Sequence, residues 1–322
     1  MRTVVGVLRG GPSSEYEASL QTGAHILAEL NPEKYDARDI FISRDGQWHA
    51  RGVAVDPGHA LNGIDVAFNA MHGEYGEDGQ VQRILEAHGT PYTGSDAFAS
   101  TVAYNKQHTK ELVSKLGIKV VRGVLVEPSR DIDTVALNLF RTFPHPSVVK
   151  PIAGSASKGV TIAHSYDDLR DALSQAFAVA PVALVEEYIK GREATVGVID
   201  SYRNEKVYSL LPTEITLPPQ PMFSRQVRGV TGVVERVPGI FTDAEKAELA
   251  ASAKKIHEGL ALSHYSQSDF IVGKRGIYFL EVNTHPSVAQ ESLLHRSLHA
   301  VGSKVSDFAD HVVSLALKRK KR

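Results

Sequence analysis

The sequence predicts an α/β fold of more than one domain that opens with a parallel sheet, and three observations predict it. Short runs of β-branched apolar residues alternate with segments of helical periodicity through the first 94 residues. Glycine-rich turns follow those runs directly, at Gly10-Gly11 and over residues 73–79, as they do where a parallel strand hands over to a helix. The chain has 322 residues, 42% hydrophobic and 23% charged, which is ordinary globular usage and enough for two or three cores.

In order, residues 3–8 form the first strand and Gly10-Gly11-Pro12 break it. Ser14 and Glu17 make a capping box for a helix carrying Leu20, Ala24 and Leu27. Residues 39–43 and 64–68 are further strands, the second leading through a glycine-studded loop to a helix with Val81, Ile84 and Leu85. After Pro91-Tyr92-Thr93-Gly94-Ser95 the pattern changes, and a second domain begins near Ser95. It holds a helix with Leu112, Val113 and Leu116 that stops at Gly117, strands at 120–126 and 148–151, the small-residue loop 153–159, and a helix capped by Ser165 with Leu169 and Leu173 on one face. Residues 183–189 read as a buried strand that turns polar at its end. A third region contains the Pro-rich stretch 211–221 and a glycine-dotted segment to Gly239, a lid candidate because so long a loop is seldom kept without a use. Thr242 and Glu245 then cap a helix with Leu249, Ala253, Ile256 and Leu260, and strands at 268–272 and 277–282 join at Gly273-Lys274-Arg275-Gly276. The basic run 318–322 reads as a solvated helix end.

Lys+Arg 36 against Asp+Glu 37 gives a net charge of −1, with no overall drive toward nucleic acid or anionic membrane. No stretch approaches the ~18 apolar residues that span a bilayer, and glycines stand where a signal peptide needs its apolar region, so an unexported, cytoplasmic protein is expected. The absence of cysteine excludes disulfides, thiolate nucleophiles and Cys-ligated metal centres.

Several groups can carry chemistry. Asp269, Glu281 and Asn283 bear oxygen ligands on adjoining strands, and Glu281 and Asn283, two apart, share a face. The set suits Mg²⁺ bridging phosphates, which takes a few hard oxygens and leaves other positions to water and substrate; a solvated strand end accounts for Glu-x-Asn equally well. Lys150 ends an apolar strand and Lys106 opens a helix, so each either brings an ammonium to phosphate or stands on the surface. Backbone N–H groups of the loop after Lys150-Pro151 can approach an anion, although neither a Walker loop nor a dinucleotide fingerprint is present. Glu186, Glu187 and Glu193 surround a strand and turn. His72-Gly-Glu-Tyr-Gly-Glu-Asp-Gly79 lies at the carboxyl end of a strand, where open sheets bind ligands, or is a tight loop with a cap at Asp78. Glu15 lies at the same edge and can meet a substrate ammonium or serve the helix dipole.

Together, Gly10-Gly-Pro-Ser-Ser-Glu15, His72-Gly73 with Gly76-Glu-Asp-Gly79, Pro91-Tyr-Thr-Gly-Ser95, Asn105-Lys106, Lys150-Pro151, the acids at 186–193 and Glu281-Val-Asn-Thr-His-Pro286 resemble the D-alanine–D-alanine ligase family of the ATP-grasp superfamily, in order and over nearly the whole chain. The resemblance implies a three-domain ATP-grasp fold: residues 1–94 as a Rossmann-like, open parallel-sheet domain, 95–187 as the central subdomain, and 188–322 as the C-terminal subdomain with metal site and lid. It implies ATP and Mg²⁺, with Mn²⁺ as an alternative ion, and D-alanine as substrate. It further implies a homodimer, with no nucleic-acid or membrane partner. By the same resemblance Lys106 and Lys150 hold ATP phosphates, Glu186 with Glu187 and Tyr188 the adenine, and Glu193 the ribose. Asp269, Glu281 and Asn283 hold the metal; Glu15 pairs with the ammonium of the first D-alanine, supported by His72; Ser292 and Leu293 receive the carboxylate of the second. The implied reaction forms an acyl phosphate, which an amine then attacks, for peptidoglycan precursors.

The chain departs from the family at four places. Ala156 replaces the first serine of a pair whose Ser157 is kept, Gln267 stands where the family has an arginine aimed at the tetrahedral oxyanion, and Ser287 stands where it has glycine. The lid offers Met222-Phe-Ser-Arg225-Gln-Val-Arg228 in place of a tyrosine and lysine. An amide donates a hydrogen bond without charge, and losing a charge-assisted contact costs roughly 1.5–3 kcal/mol. The alternatives to D-alanine ligation are an ATP-grasp carboxylate–amine ligase with a different amino acid or hydroxy acid, and a nucleotide-binding protein without turnover.

Overall fold

The computed structural model describes residues 2–153, 159–216 and 234–319, arranged around three sheets. The first unit runs β1 (Thr3–Gly10), α1 (Tyr16–Glu29), β2 (Tyr35–Ile42), β3 (Trp48–Ala50), β4 (Val53–Val55), α2 (Pro57–Leu61), β5 (Val66–Asn69) and α3 (Gln80–Ala87). Strand order is β4-β3-β2-β1-β5, with β1 parallel to β2 and β5. The edge is different: β3 and β4 add antiparallel. Only residues 43–47 separate β2 from β3, fewer than the dozen or so a parallel crossover needs, so the chain must turn back and the sheet is mixed. Central β1 is buried on both faces, with Val5 and Val7 in one core and Leu8 in the other beside Val81 and Leu85.

α1 differs from its sequence reading. Glu15 occupies the N-cap without a side-chain cap, so the Ser14–Glu17 box does not form. The buried residues are Ser19, Thr22, Gly23 and Ile26; of the three read as core-facing, Leu27 packs against that core while Ala24 is exposed. Close approach to β1 explains this, since a Cβ on Gly23 would stand 2.5 Å from that of Arg9. Ser19 Oγ, meanwhile, accepts from the Gly10 N–H and donates to the Ala70 carbonyl.

α4 (Ala97–Tyr104) and α5 (Lys106–Lys115) follow, capped by Asp96 and Asn105. The second sheet takes β6 (Gly123–Val126), β7 (Ser147–Pro151), β8 (Thr161–Ala163) and β9 (Ala183–Glu187), with α6 (Ile132–Thr142) and α7 (Tyr166–Phe177) on it. Its order is β6-β9-β7-β8, all antiparallel. Ser165 caps α7 as read, in a capping box with Asp168, and Leu169 and Leu173 pack with Val149 and Val185.

The third sheet holds β10 (Gly191–Asp200), β11 (Val207–Ser209), β12 (Thr213–Thr216), β13 (Val234–Arg236), β14 (Tyr265–Gly273) and β15 (Gly276–Asn283), covered by α8 (Asp243–Gly259). Thr242 and Glu245 cap α8 as read, and Leu249, Ala253 and Ile256 pack on Phe270 and Phe279. Ala99, Ala103 and Val113 from α4 and α5 join that core. The chain ends with α9 (Leu293–Ala300) and α10 (Val305–Lys318), whose Leu298, Phe308 and Val312 share a core with Val5, Val7 and Ile26 of the first unit. Arg319, read as part of a solvated basic end, instead donates to the Gly94 carbonyl and lies 4.9 Å from the centre of the Tyr92 ring. Among the described residues no helix is long and apolar enough to cross a membrane.

Candidate active site

The second and third sheets form the walls of a cleft that reaches to Glu15 of the first unit. Strand alternation sets the third-sheet wall. Along β14, Phe270 and Val272 enter the core beneath α8 while Gln267, Asp269 and Ile271 line the cleft. β15 carries a bulge: Asp269 pairs with Glu281 but Phe270 with Phe279, leaving Leu280 as the extra residue, and both Leu280 and Glu281 line the cleft. Asn283 pairs with Gln267 two residues along. Asp269, Glu281 and Asn283 therefore face one space, as their spacing suggested. On β10, Thr195 stands opposite Asp269 and donates its hydroxyl to Oδ1 at 2.5 Å.

The second-sheet wall brings Lys150 at the end of β7, Glu186 and Glu187 at the end of β9, and then Tyr188 and, on β10, Glu193. Val121, Val148, Ile189, Ile271 and Leu280 make the space between the walls apolar, a fit for a planar base. Lys106, first residue of α5, reaches Glu281 Oε2 at 2.5 Å. Lys150 Nζ lies 2.9 Å from Glu186 Oε2, and Lys110 meets the other oxygen of the same carboxylate. Burial pulls the Lys150 ammonium down to about 8, helped by the positive charge of Lys106. Burial first, then Lys150 and Lys106, holds Lys110 well below the usual lysine range.

At the first-unit end, Glu15 lines the cleft with Glu77 and Tyr104. Burial raises the Glu77 carboxyl, with His72 opposing and Glu15 adding to the rise. His72 itself lies behind the lining, its Nδ1 2.9 Å from the His285 carbonyl and Nε2 2.8 Å from Thr22 Oγ1. A carbonyl only accepts, so Nδ1 carries a proton; Nε2 pairs with the Thr22 hydroxyl, which in turn pairs with that of Ser287 at 2.9 Å. Ser287 thus takes part in orienting His72. Ser292 caps α9, accepting from the His295 N–H and donating to the Ser287 carbonyl, while the next residue, Leu293, lines the cleft. Ser157, Ala156, Arg225 and Arg228 lie outside the described residues.

Sequence reading did not single out Glu77, Tyr104, Lys110 or Thr195. Three of the four had a signal: Glu77 sits inside the 72–79 glycine loop, Lys110 is one helical turn from Lys106, and Thr195 is two residues from Glu193 on a strand.

The donors at Asp269, Glu281 and Asn283 are two carboxylates and an amide, the hard-oxygen set that Mg²⁺ takes while keeping water and phosphate as its other ligands. Among the described residues no three His, Cys, Asp or Glu side chains are gathered as a metal-binding cluster.

Comparison with known proteins follows this geometry. A family model described as D-ala D-ala ligase C-terminus matches residues 112–314, and one described as D-ala D-ala ligase N-terminus matches 4–60 and 50–95. A D-alanine–D-alanine ligase of Geobacter sulfurreducens is 35% identical, covering 99% of this chain and 96% of that one. One of Aquifex aeolicus is 34% identical, covering 91% and 93%. Among solved structures, the VanG D-Ala:D-Ser ligase from Enterococcus faecalis superposes with TM-score 0.84 at 24% identity, covering 98% of this chain and 100% of that one. The D-alanine–D-alanine ligase from Coxiella burnetii gives 0.84 at 23%, covering 99% and 94%; at these identities the likeness is one of fold.

Proposed function

The chain belongs to the D-alanine–D-alanine ligase family, and on that premise we propose that it joins two D-alanine molecules with ATP, supplying the dipeptide for peptidoglycan precursors. The observation that carries the reading is one cleft that holds Lys106 and Lys150, the Asp269–Glu281–Asn283 oxygen set and, at its far end, Glu15. Two cationic side chains suit the phosphates, with Glu186, Glu187 and Tyr188 beside the apolar slot for adenine and Glu193 for ribose. Glu15 faces the ammonium of the first D-alanine; oriented His72 supports that end. Ser292, with the backbone at Leu293, takes the carboxylate of the second. Domain boundaries at 94/95 and 187/188, and a homodimer, complete the proposal.

The first D-alanine carboxylate attacks the γ-phosphorus, breaking its bond to the β–γ bridging oxygen and giving acyl phosphate and ADP. The amine of the second D-alanine attacks the acyl carbon, phosphate leaves with the C–O electron pair, and the amine loses a proton. Gln267 places an amide N–H where the oxyanion forms, and the family resemblance gives Ser157 a catalytic role. Asp269, Glu281 and Asn283 would hold Mg²⁺, which would neutralise charge on the phosphates. Positioning by the chain's own groups contributes much of the rest.

ATP-dependent phosphate release across a panel of D- and L-amino acids tests the proposal, with release on D-alanine expected to dominate; strongest release on another amino acid would redirect it. Glu15→Gln removes a charged partner from the ammonium, a loss of roughly 1.5–3 kcal/mol, so KM for the first D-alanine is expected to rise ~10–150-fold. KM for ATP should change less than ~3-fold, and equal rises in both would sink the role of Glu15.

A pH profile tests Lys150. Its ammonium is depressed to about 8, so it is charged below that pH and loses its charge as pH rises through it. The kcat/KM for ATP, which reports the free enzyme, is expected to fall roughly eightfold between about pH 7.5 and 9, following the protonated fraction. A flat profile over that window removes Lys150 from phosphate binding.

A further inference from the structure

Lys110 stands one turn after Lys106, on the same face of α5, and the two reach different walls of the cleft. Lys106 meets Glu281 on the third sheet and Lys110 meets Glu186 on the second. Glu186 is 2% exposed and Lys110 4%, so each depends on protein partners and not on water. Among the described residues two lysines meet Glu186, one at each oxygen: Lys150, which lines the cleft, and Lys110, which stands behind it and does not.

That arrangement matters when a nucleotide enters. Phosphate oxygens attract Lys150 away from Glu186, and a buried carboxylate stripped of its only counter-ion is strongly disfavoured. With Lys110 in place the carboxylate keeps a partner and its orientation while Lys150 turns to phosphate. An ionised carboxylate only accepts, so it favours a base that presents an exocyclic N–H donor and opposes one that presents a carbonyl.

We propose that Lys110 is the positioning residue that keeps Glu186 fixed as an acceptor for the base, and thereby gives the site its preference for a 6-aminopurine nucleotide over a 6-oxopurine one. The inference rests on the reading of this cleft as the ATP site.

The test compares the full-length protein with Lys110→Met, Glu186→Gln and the double variant, using ATP and inosine triphosphate as nucleotides and thermal unfolding as a control. Lys110→Met is expected to raise KM for ATP at least ~10-fold with kcat held within ~3-fold, and to shrink the ATP-over-inosine-triphosphate ratio of kcat/KM at least ~10-fold. The double variant carries no unpaired buried charge from this pair, and its nucleotide ratio is expected to match that of Glu186→Gln alone. A Lys110→Met enzyme that keeps the parental ratio overturns the inference, as does a double variant whose ratio falls well below that of Glu186→Gln. The double variant also decides the matter if Lys110→Met does not fold. Failure of the parental protein to bind ATP at all would instead overturn the function proposed for the cleft.

Discussion

Asp269→Asn and Glu281→Gln are each expected to cut turnover by ~10³-fold or more while leaving the fold intact. The two carboxylates are partners in the β14–β15 register and line the same cleft, and each substitution keeps shape while removing one negative charge from the oxygen set. Neutralising phosphate charge through a bound metal ion contributes several kcal/mol to the transition state, and ~1.4 kcal/mol corresponds to tenfold in rate. Asn at 269 still offers a carbonyl to the Thr195 hydroxyl, so the β10–β14 contact survives and the loss is one of charge. Gln at 281 has a second consequence, because Lys106 loses its ionic partner and only the amide oxygen remains to accept from it. The check is kcat at saturating Mg²⁺, with Mn²⁺ titration as a direct binding readout and thermal unfolding as the control. Near-parental rates in both variants would remove these residues from the metal site.

The parts of this site legible in the sequence are those where a local pattern fixes orientation. Lys150 at the end of an apolar strand, Lys106 at a helix start, and Asp269 on a strand adjoining that of Glu281 and Asn283 were all readable, and all line the cleft. Glu281 and Asn283 were readable as a pair, but the bulge that also turns Leu280 to the cleft was not, because nothing local distinguishes a bulged Leu from a regular one. Contacts made across the chain were invisible. His72 is oriented through Thr22 and Ser287, which are 265 residues apart, and Ser292 through the Ser287 carbonyl. The spacing of Lys110 from Lys106 gives no sign that α5 reaches Glu186 on the neighbouring sheet. In the first unit, hydrophobic periodicity put Leu27 of α1 on the core but passed over Ser19, Thr22 and Gly23, because close packing there selects small side chains, which periodicity does not weigh. The β3–β4 edge was missed for a related reason: three-residue strands carry too few positions to show alternation.

Gly10→Ala is expected to cost roughly 3–5 kcal/mol of folding stability, against ~1–2 kcal/mol for the matched control Gly46→Ala. Both glycines have positive φ, +93° at Gly10 and +83° at Gly46, so an added Cβ strains both backbones. Only Gly10 adds a collision: its Cβ would stand 2.1 Å from the Ile42 carbonyl oxygen, whereas nothing lies within 4 Å of one on Gly46. That carbonyl cannot step aside freely, because it accepts the Gly11 N–H at 2.8 Å and lies at the end of the β1–β2 ladder. Gly10 itself is held by its N–H to Ser19 Oγ, so relaxation would pull on α1. The loop that follows carries Ser13, whose Oγ accepts the Glu15 N–H at 2.8 Å and helps set the carboxylate proposed to meet the substrate ammonium. A Gly10→Ala protein that still folds should therefore also show a raised KM for the first D-alanine, with KM for ATP little changed. Denaturant midpoints of the two variants, measured with the parental protein, decide the packing argument: equal losses at Gly10 and Gly46 would mean that the β1–β2 end yields to the methyl group and that positive φ alone explains the glycine.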